Sequence, residues 1–455
     1  MMKKYILISI LLVSFCMWGC KKEFLDKKPS LSVIVPTGIS DFRALMDDPY
    51  IFIYYGMPML GTISADDFVT SEDMVSILSV PERGAYLWEK NMDGNDNDWY
   101  YGYQQVFNSN LVLDGLAKME GKERGGTAYR NLQGTALFWR SFAFSNLLEG
   151  FAKSFDSKTA DRDLGIPLRT SSDVNVKFER ESVRKGFDKI IADLKQAVDL
   201  LPNVEKHRSR PTRNCALALL ARVYLIMGDY KNAGYYADLS LQENSTLLDY
   251  STLDPNAPRP FPLGLGDSNP EILLYTCMTR SIFLQSTLTG VVPELFDQYE
   301  DGDLRKKLYF EDSGFGYKNF KGSYTGDSEF FAGLTTREQY LIRAECHARL
   351  GNVESAMVDL NNLLVTRWDD TFVDLKAYSK EEAISKILNE RRKELVGQGL
   401  RFSDLRRLNL ETERAVTLTR KVNGVDYYLP PNDNRYVFLI PFQEVQMTGI
   451  PQNIR

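Results

Sequence analysis

Apolar residues recur at three- and four-residue spacing over most of the chain, which is the pattern of helices with one buried face. The first run follows Thr37, Ser40 and Asp41, with Phe42, Leu45 and Met46 as its apolar positions and Pro49 beyond it. After Trp99, the series Tyr103, Val106, Phe107, Asn110, Leu111 and Asp114 predicts a long helix. Tyr129, Leu132, Thr135, Ala136, Trp139, Phe142 and Ala143 predict a second over 126–149, able to fold back antiparallel to the first. Residues 182–200 keep the spacing through Val183, Phe187, Ile190, Ile191, Leu194 and Val198, and Pro202 ends it. Residues 213–227 and 230–241 then form a hairpin about Gly228 and Asp229. A last helix is predicted over 381–396, followed by turns and a short strand over Tyr436–Ile440.

Two stretches break the rhythm. Segment 61–98 carries Gly61, Asp66, Asp67, Pro81 and Gly84 and ends in a run of Asn, Asp and Gly over 91–98, so it is predicted as loop. Residues 244–335 hold Pro255, Pro258, Pro260, Pro262 and Pro270, many glycines and a β-prone piece over Glu271–Thr276. They are predicted as a loop-rich lobe on the helical frame, where irregular segments can present side chains at fixed positions.

Two helix pairs carry a finer pattern. Ala221, Tyr224, Gly228, Tyr230, Ala233 and Ala237 stand where tetratricopeptide units place small residues, an aromatic and a turn glycine; Ala344, His347, Gly351, Ala356 and Leu360 repeat the arrangement. Small residues let helix axes approach closely. The two units are too far apart for a tandem array, so the chain is predicted to be mainly α, with scattered repeat-like pairs rather than a regular solenoid.

Composition supports a large folded body: 455 residues, 44% hydrophobic and 25% charged. Lys and Arg number 55 against 61 Asp and Glu, a formal net charge of -6 without a long basic run, which disfavours nucleic acid as a partner. Aromatics at 12% leave candidates for a stacking surface. At the N-terminus, Lys3 and Lys4 precede an apolar run from Tyr5 to Trp18, the order of an export signal. Met17, Trp18 and Gly19 before Cys20 resemble the lipobox of bacterial lipoproteins. That resemblance implies a signal peptide over 1–19, cleavage before Cys20, a lipid such as palmitate carried at Cys20, and a leader over 20–36. Cys215, Cys277 and Cys346 then remain in the body as an odd, scattered set without a CxxC, and read as buried small hydrophobes.

Catalytic patterns are sparse. His207 and His347 begin no metal motif or relay, and neither a phosphate-binding glycine loop nor a GxSxG elbow occurs. Asp66 and Asp67 could pair as glycosidase carboxylates, but sequence neighbours do not establish the separation hydrolysis needs. Asp93, Asn95 and Asn97 imitate the start of a calcium loop, yet Asp98 and Gln104 stand where its glycine and bidentate Glu belong. No metal, cofactor or catalytic residue is therefore assigned.

Several passages carry a recognisable signature. They are CKKEFLD over 20–26 with Pro29, the helix LFWRSFAFSNLL over 137–148 with GIP at 165–167, PTRNCALALLARVYLIMGDY over 211–230, and ILNERRKELVGQGLRFSDLRR over 387–407. Together with the ending YVFLIPFQE over 436–444 and PQN at 451–453, these passages resemble one family, the SusD/RagB surface lipoproteins of the Bacteroidetes. The resemblance implies a SusD-like helical frame over 37–455 with four tetratricopeptide-like helix pairs and a loop-rich face over 244–335. It also implies a binding protein rather than an enzyme, anchored by lipid on the cell-surface side of the outer membrane. Its partners would be a SusC-type TonB-dependent transporter and an oligosaccharide ligand, with peptide capture as the alternative in some branches; a surface glycoside hydrolase or esterase and a pure scaffold are the readings from other classes.

A sugar ring offers an apolar face to aromatics and a rim of hydroxyls to polar groups. The expected platform is Trp88, Trp99, Tyr100 and Tyr101, with Asp67, Asn97 and Asp98 as hydroxyl partners; Trp99, Tyr100 and Tyr103 could equally begin a core face. Tyr309, Phe310, Phe315 and Tyr317 form a second set with the same ambiguity. Arg391, Glu394, Arg401 and Asp404 are assigned to structural ion pairs and helix ends.

Overall fold

The computed structural model describes residues 36–90, 92, 96–266 and 268–455. The signal segment 1–19, Cys20, nearly all of the leader 20–36, and Asp93 and Asn95 lie outside the described residues. The described residues begin with α1 (Ile39–Met46), α2 (Pro49–Phe52), α3 (Leu60–Ser64), β1 (Phe68–Thr70), α4 (Glu72–Ile77) and α5 (Val80–Tyr86). The frame follows with α6 (Asp96–Lys118), α7 (Thr127–Phe151), β2 (Leu164–Pro167), β3 (Arg180–Ser182), α8 (Val183–Leu200), α9 (Arg213–Ile226) and α10 (Tyr230–Glu243). The intervening lobe holds β4 (Ile272–Leu274), α11 (Ile282–Gln285), β5 (Thr289–Val291), α12 (Pro293–Phe296), α13 (Arg305–Leu308), β6 (Phe310–Asp312), β7 (Lys318–Phe320) and β8 (Leu334–Thr335). Helices α14 (Thr336–Arg349), α15 (Val353–Leu364), α16 (Lys380–Glu394) and α17 (Arg401–Leu408) return to the frame, and the chain closes with β9 (Leu418–Val422), β10 (Val425–Leu429) and α18 (Phe442–Thr448).

The long helices stack in order: α6 on α7, α7 on α8, α8 on α9, α9 on α10, then α10 directly on α14, α14 on α15 and α14 on α16. Chain continuity breaks between α10 and α14, but packing continuity does not. Helix α9 lies at the centre of this stack, with every residue from Asn214 to Ile226 buried. Its alanines serve that position, since small side chains permit close neighbours on all sides. Gly228 and Gly351, predicted as turn glycines, adopt φ of 71° and 91°, a left-handed backbone that a Cβ disfavours. Polar caps define the starts of helices: Ser182 accepts from the Lys185 amide at 3.3 Å, Asp229 from Asn232 at 3.1 Å and Ser379 from Glu382 at 3.1 Å, each cap being worth about 1 kcal/mol. Cys215, Cys277 and Cys346 are buried and unpaired. Among the described residues no helix is long and apolar enough to cross a membrane.

Segment 61–98, predicted as loop, contains three short helices and a strand. Its punctuating residues start elements rather than interrupt them: Ser71 and Ser79 are N-caps, Pro81 sits in the first turn of α5, and Glu82 closes a capping box with Ser79. Strand β1 then joins the lobe. It pairs with β5 in a four-stranded sheet of order β1-β5-β7-β6, with Phe68 opposite Val291 and Asp312 opposite Lys318. The strand expected over 436–440 is absent. A 3-10 turn covers Asn434–Tyr436, and Phe438 instead donates its amide to Gly150 O at 2.9 Å.

A buried ionic network fastens the lobe to the frame. Arg305 bonds Asp303 at 2.7 Å, Glu390 at 2.7 Å and Glu394 at 3.0 Å, and Arg367 bridges Glu271 at 2.8 Å and Glu394 at 2.9 Å. Arg337 reaches Glu394 at 3.4 Å and donates to the hydroxyls of Tyr250 and Tyr309. Burial alone would raise the Glu394 carboxyl, but Arg367, Arg305 and Arg337 outweigh it and hold it at about 2. Arg391 pairs with Asp404 at 2.8 Å and Arg401 with Asp66 at 2.7 Å, the structural roles expected of these residues.

Candidate functional site

Helix α6 divides the predicted platform between core and surface. Successive helical residues point about 100° apart, so neighbours in sequence face different surroundings. Trp99 turns inward, 4% exposed, with its ring 5.0 Å from Phe151 and 4.7 Å from Tyr103. Asp98 is buried and accepts the amides of Met59 at 3.1 Å and Leu60 at 3.0 Å, capping α3. Burial raises its carboxyl to about 6 against the pull of those two donors. Tyr100 instead projects into solvent at 57% exposure, and Asn97 is exposed beside it.

Trp88 is buried rather than exposed on a platform. It is 2% exposed, its indole donates to Ser64 O at 2.9 Å, and the Arg420 guanidinium covers its ring at 4.6 Å. Its φ of 54° places a bulky residue in left-handed backbone, a strained geometry that the surrounding packing and this hydrogen bond maintain. Asp67 is likewise committed: Arg392 donates to it at 2.8 Å. Asp66 is held by Arg401 and Arg392, which overcome its burial and keep its carboxyl below the ordinary range. The two adjacent carboxylates are therefore paired with guanidinium groups. In the second set, Tyr309 and Phe310 are core residues, and the Tyr309 hydroxyl belongs to the Arg337 network. Only Phe315, which is exposed, and Tyr317, half-buried and stacked 6.4 Å from it, reach the surface.

The structure assembles a different site from the surviving residues. Asn97, Trp99, Tyr100, Tyr103, Gln104 and Phe107 on α6 face Arg169 and the residues Pro441, Gln443, Glu444 and Met447 across a cleft of about 560 Å³. Phe107 is 41% exposed, so two aromatic rings one helical turn apart from Tyr103 border open solvent. Arg169 donates to Glu444 at 2.6 Å and lies over the Tyr103 ring at 5.2 Å. Tyr103 donates its hydroxyl to Pro167 O at 2.8 Å, and burial drives that hydroxyl well above its ordinary pKa, so it remains protonated.

A second aromatic surface adjoins this cleft. Tyr101 stacks on Tyr55 with ring centroids 4.2 Å apart and planes 6° apart, and Tyr100 meets Tyr101 edge-on at 5.3 Å. Arg280 lies over Tyr54 at 5.9 Å and pairs with Glu329 at 2.6 Å. The N-terminal half of α6 thus joins two aromatic surfaces, each flanked by one Arg–Glu pair. Phe107 and Tyr103 carried a sequence signal as part of the α6 periodicity. Arg169, Glu444, Tyr54, Tyr55, Arg280 and Glu329 carried none, because each arrives from a distant segment.

Residues 23–225 match a family model described as "Starch-binding associating with outer membrane", and residues 336–448 match one described as "SusD family". No curated protein matches the chain by sequence. Among solved structures, the fold is similar to a SusD superfamily protein from Bacteroides vulgatus, at 21% identity over 92% of this chain and 99% of that one, with a TM-score of 0.75. It is also similar to a SusD superfamily protein from Bacteroides thetaiotaomicron, at 21% identity over 92% and 100% of the chains, with a TM-score of 0.74. A SusD-like carbohydrate binding protein from Bacteroides vulgatus matches at 18% identity over 91% and 97%, with a TM-score of 0.69.

Proposed function

The chain belongs to the SusD family, and from that membership we propose that it captures oligosaccharides at the outer surface of the outer membrane and delivers them to a SusC-type TonB-dependent transporter. Cleavage before Cys20 and lipid at its thiol would supply the anchor, leaving residues 20–36 as a tether and 37–455 as the binding body.

The observation that carries the sugar reading is the N-terminal half of α6. There Tyr100 and Phe107 present apolar rings while Arg169 and Glu444 stand in the same cleft. Rings of this kind cover the CH face of a pyranose, and guanidinium and carboxylate groups hydrogen-bond its hydroxyls in pairs. The Tyr55–Tyr101 stack with Arg280 and Glu329 extends the same chemistry to a second unit of a chain. The adjacent carboxylates Asp66 and Asp67, the pair considered for hydrolysis, are engaged by Arg392 and Arg401, in keeping with capture rather than cleavage.

Calorimetric titration with a panel of neutral oligosaccharides and of peptides tests this. Saturable glycan binding without product release is expected, and replacing Tyr100 and Phe107 together by Ala weakens it about tenfold or more. A panel in which only peptides bind overturns the sugar reading in favour of peptide capture.

A further inference from the structure

The edge of the four-stranded sheet carries a second concavity, separate from the aromatic surfaces. Strands β6 and β7, with α12 and α13 beside them, enclose a cleft of about 830 Å³ into which Lys306, Lys307, Lys318 and Lys321 converge. That volume lies within the range of ligand sites, roughly 300–1,000 Å³. Four ammonium groups around one cleft stand out in a chain whose net charge is -6.

Their partners are unevenly placed. Lys306 pairs with Asp301 at 2.9 Å and Lys318 with Asp312 at 3.1 Å, but those carboxylates stand on the rim, at 103% and 73% side-chain exposure. Exposed pairs of this kind contribute little and exchange readily. Lys307 is exposed and has no ion pair among the described residues. Lys321 is only 6% exposed, and its ammonium donates to Pro255 O at 2.9 Å and Ala257 O at 3.3 Å. Carbonyl oxygens orient that group without neutralising it, and an ammonium has three donors. Lys306 and Lys318 also lie 5.8 Å and 5.6 Å from the Phe296 ring, which holds both side chains at the cleft. The innermost ammonium is Lys321, while the three carboxylates that line the cleft, Asp301, Glu311 and Asp312, are all exposed at its rim.

We propose that this cleft is a second glycan subsite that takes an acidic sugar, with the ligand's carboxylate or sulfate replacing Asp301 and Asp312 as counter-charge. The proposal rests on the sugar-capture reading and adds to it the charge class of the ligand.

The test is calorimetric titration of the chain with three probes: an oligogalacturonate for carboxylates, a heparin-derived oligosaccharide for sulfates, and a neutral malto-oligosaccharide. At least one acidic probe is expected to bind, severalfold more weakly when salt is raised from about 20 mM to about 150 mM. Lys306→Gln with Lys307→Gln is expected to weaken it about tenfold, and Lys321→Met by a similar factor. Because Lys321 is buried, the exposed Lys306 and Lys307 variant decides the matter if Lys321→Met does not fold. Acidic binding that is unchanged in the lysine variants overturns the proposal, as does binding of the neutral probe with none of the acidic ones; in the latter case sugar capture stands. Failure of all three probes together with every neutral glycan of the panel overturns both.

Discussion

Arginine and glutamate meet in two settings in this molecule, around Glu394 and beside α6. At Glu394 three guanidinium groups surround one carboxylate that is wholly buried, and Arg337 links them to the chain of bonded hydroxyls of Tyr309, Tyr250 and Tyr324. Beside α6, single pairs, Arg169–Glu444 and Arg280–Glu329, stand where solvent reaches the arginine, with 39% and 55% of its side chain exposed. The chemistry is the same and its consequence differs. Desolvated charges cannot exchange partners without leaving one of them uncompensated, so the inner network binds lobe to frame. In the outer pairs the carboxylate is mostly buried but solvent reaches the guanidinium, which leaves its outward N–H groups accessible.

The largest effect expected is at the inner network. Glu394→Ala leaves Arg305, Arg337 and Arg367 short of their shared partner and is expected to destabilise the fold by about 3–5 kcal/mol, measured by urea denaturation. Acid should act in the same direction. The folded-state value of Glu394, about 2, lies below its unfolded value, so its stabilisation is complete above roughly pH 4.5 and is lost as pH falls towards 2. Unfolding midpoints followed from pH 6 to pH 3 should therefore drop in the native chain. Stability that is insensitive to acid over that window would place little of the fold's stability in this network.

Trp88→Ala sharpens the contrast between core and surface aromatics. It is expected to cost about 3 kcal/mol of stability while leaving the glycan affinity of the folded protein unchanged. Tyr100→Ala is expected to do the reverse: stability within about 0.5 kcal/mol of the parent and affinity reduced severalfold. Loss of binding in folded Trp88→Ala would return that residue to the ligand surface. The smallest effect is assigned to Arg169→Ala, a few-fold loss of affinity with stability changed by less than about 1 kcal/mol, read by titration and thermal melting.

Much of the helical frame was legible because its periodicity is local. The runs through Val183 and Leu194 and the Gly228 and Gly351 turns rest on interactions within a few residues. The structural assignment of Arg391, Glu394, Arg401 and Asp404 was legible in kind, though their partners were not. Segment 61–98 was misread because serine and proline serve both turns and helix starts, and only pairing of β1 with β5 decides which. The site was legible in part. Trp99 and Tyr100 are adjacent in sequence, and nothing local to them states that Phe151 covers one ring and solvent the other.

What the sequence determined by itself is the helical frame and the family, since periodic apolar positions and turn glycines act over one or two helical turns, and the family motifs are contiguous. What the tertiary structure alone decided is which aromatic residues are buried and which reach solvent. Arg420, arriving on the late hairpin of β9 and β10, seals Trp88 into the core, while Arg169 and Glu444, far apart in the chain, meet over Tyr103. Exposure is a property of what packs against a side chain, and those neighbours are brought together by the fold rather than by proximity in sequence.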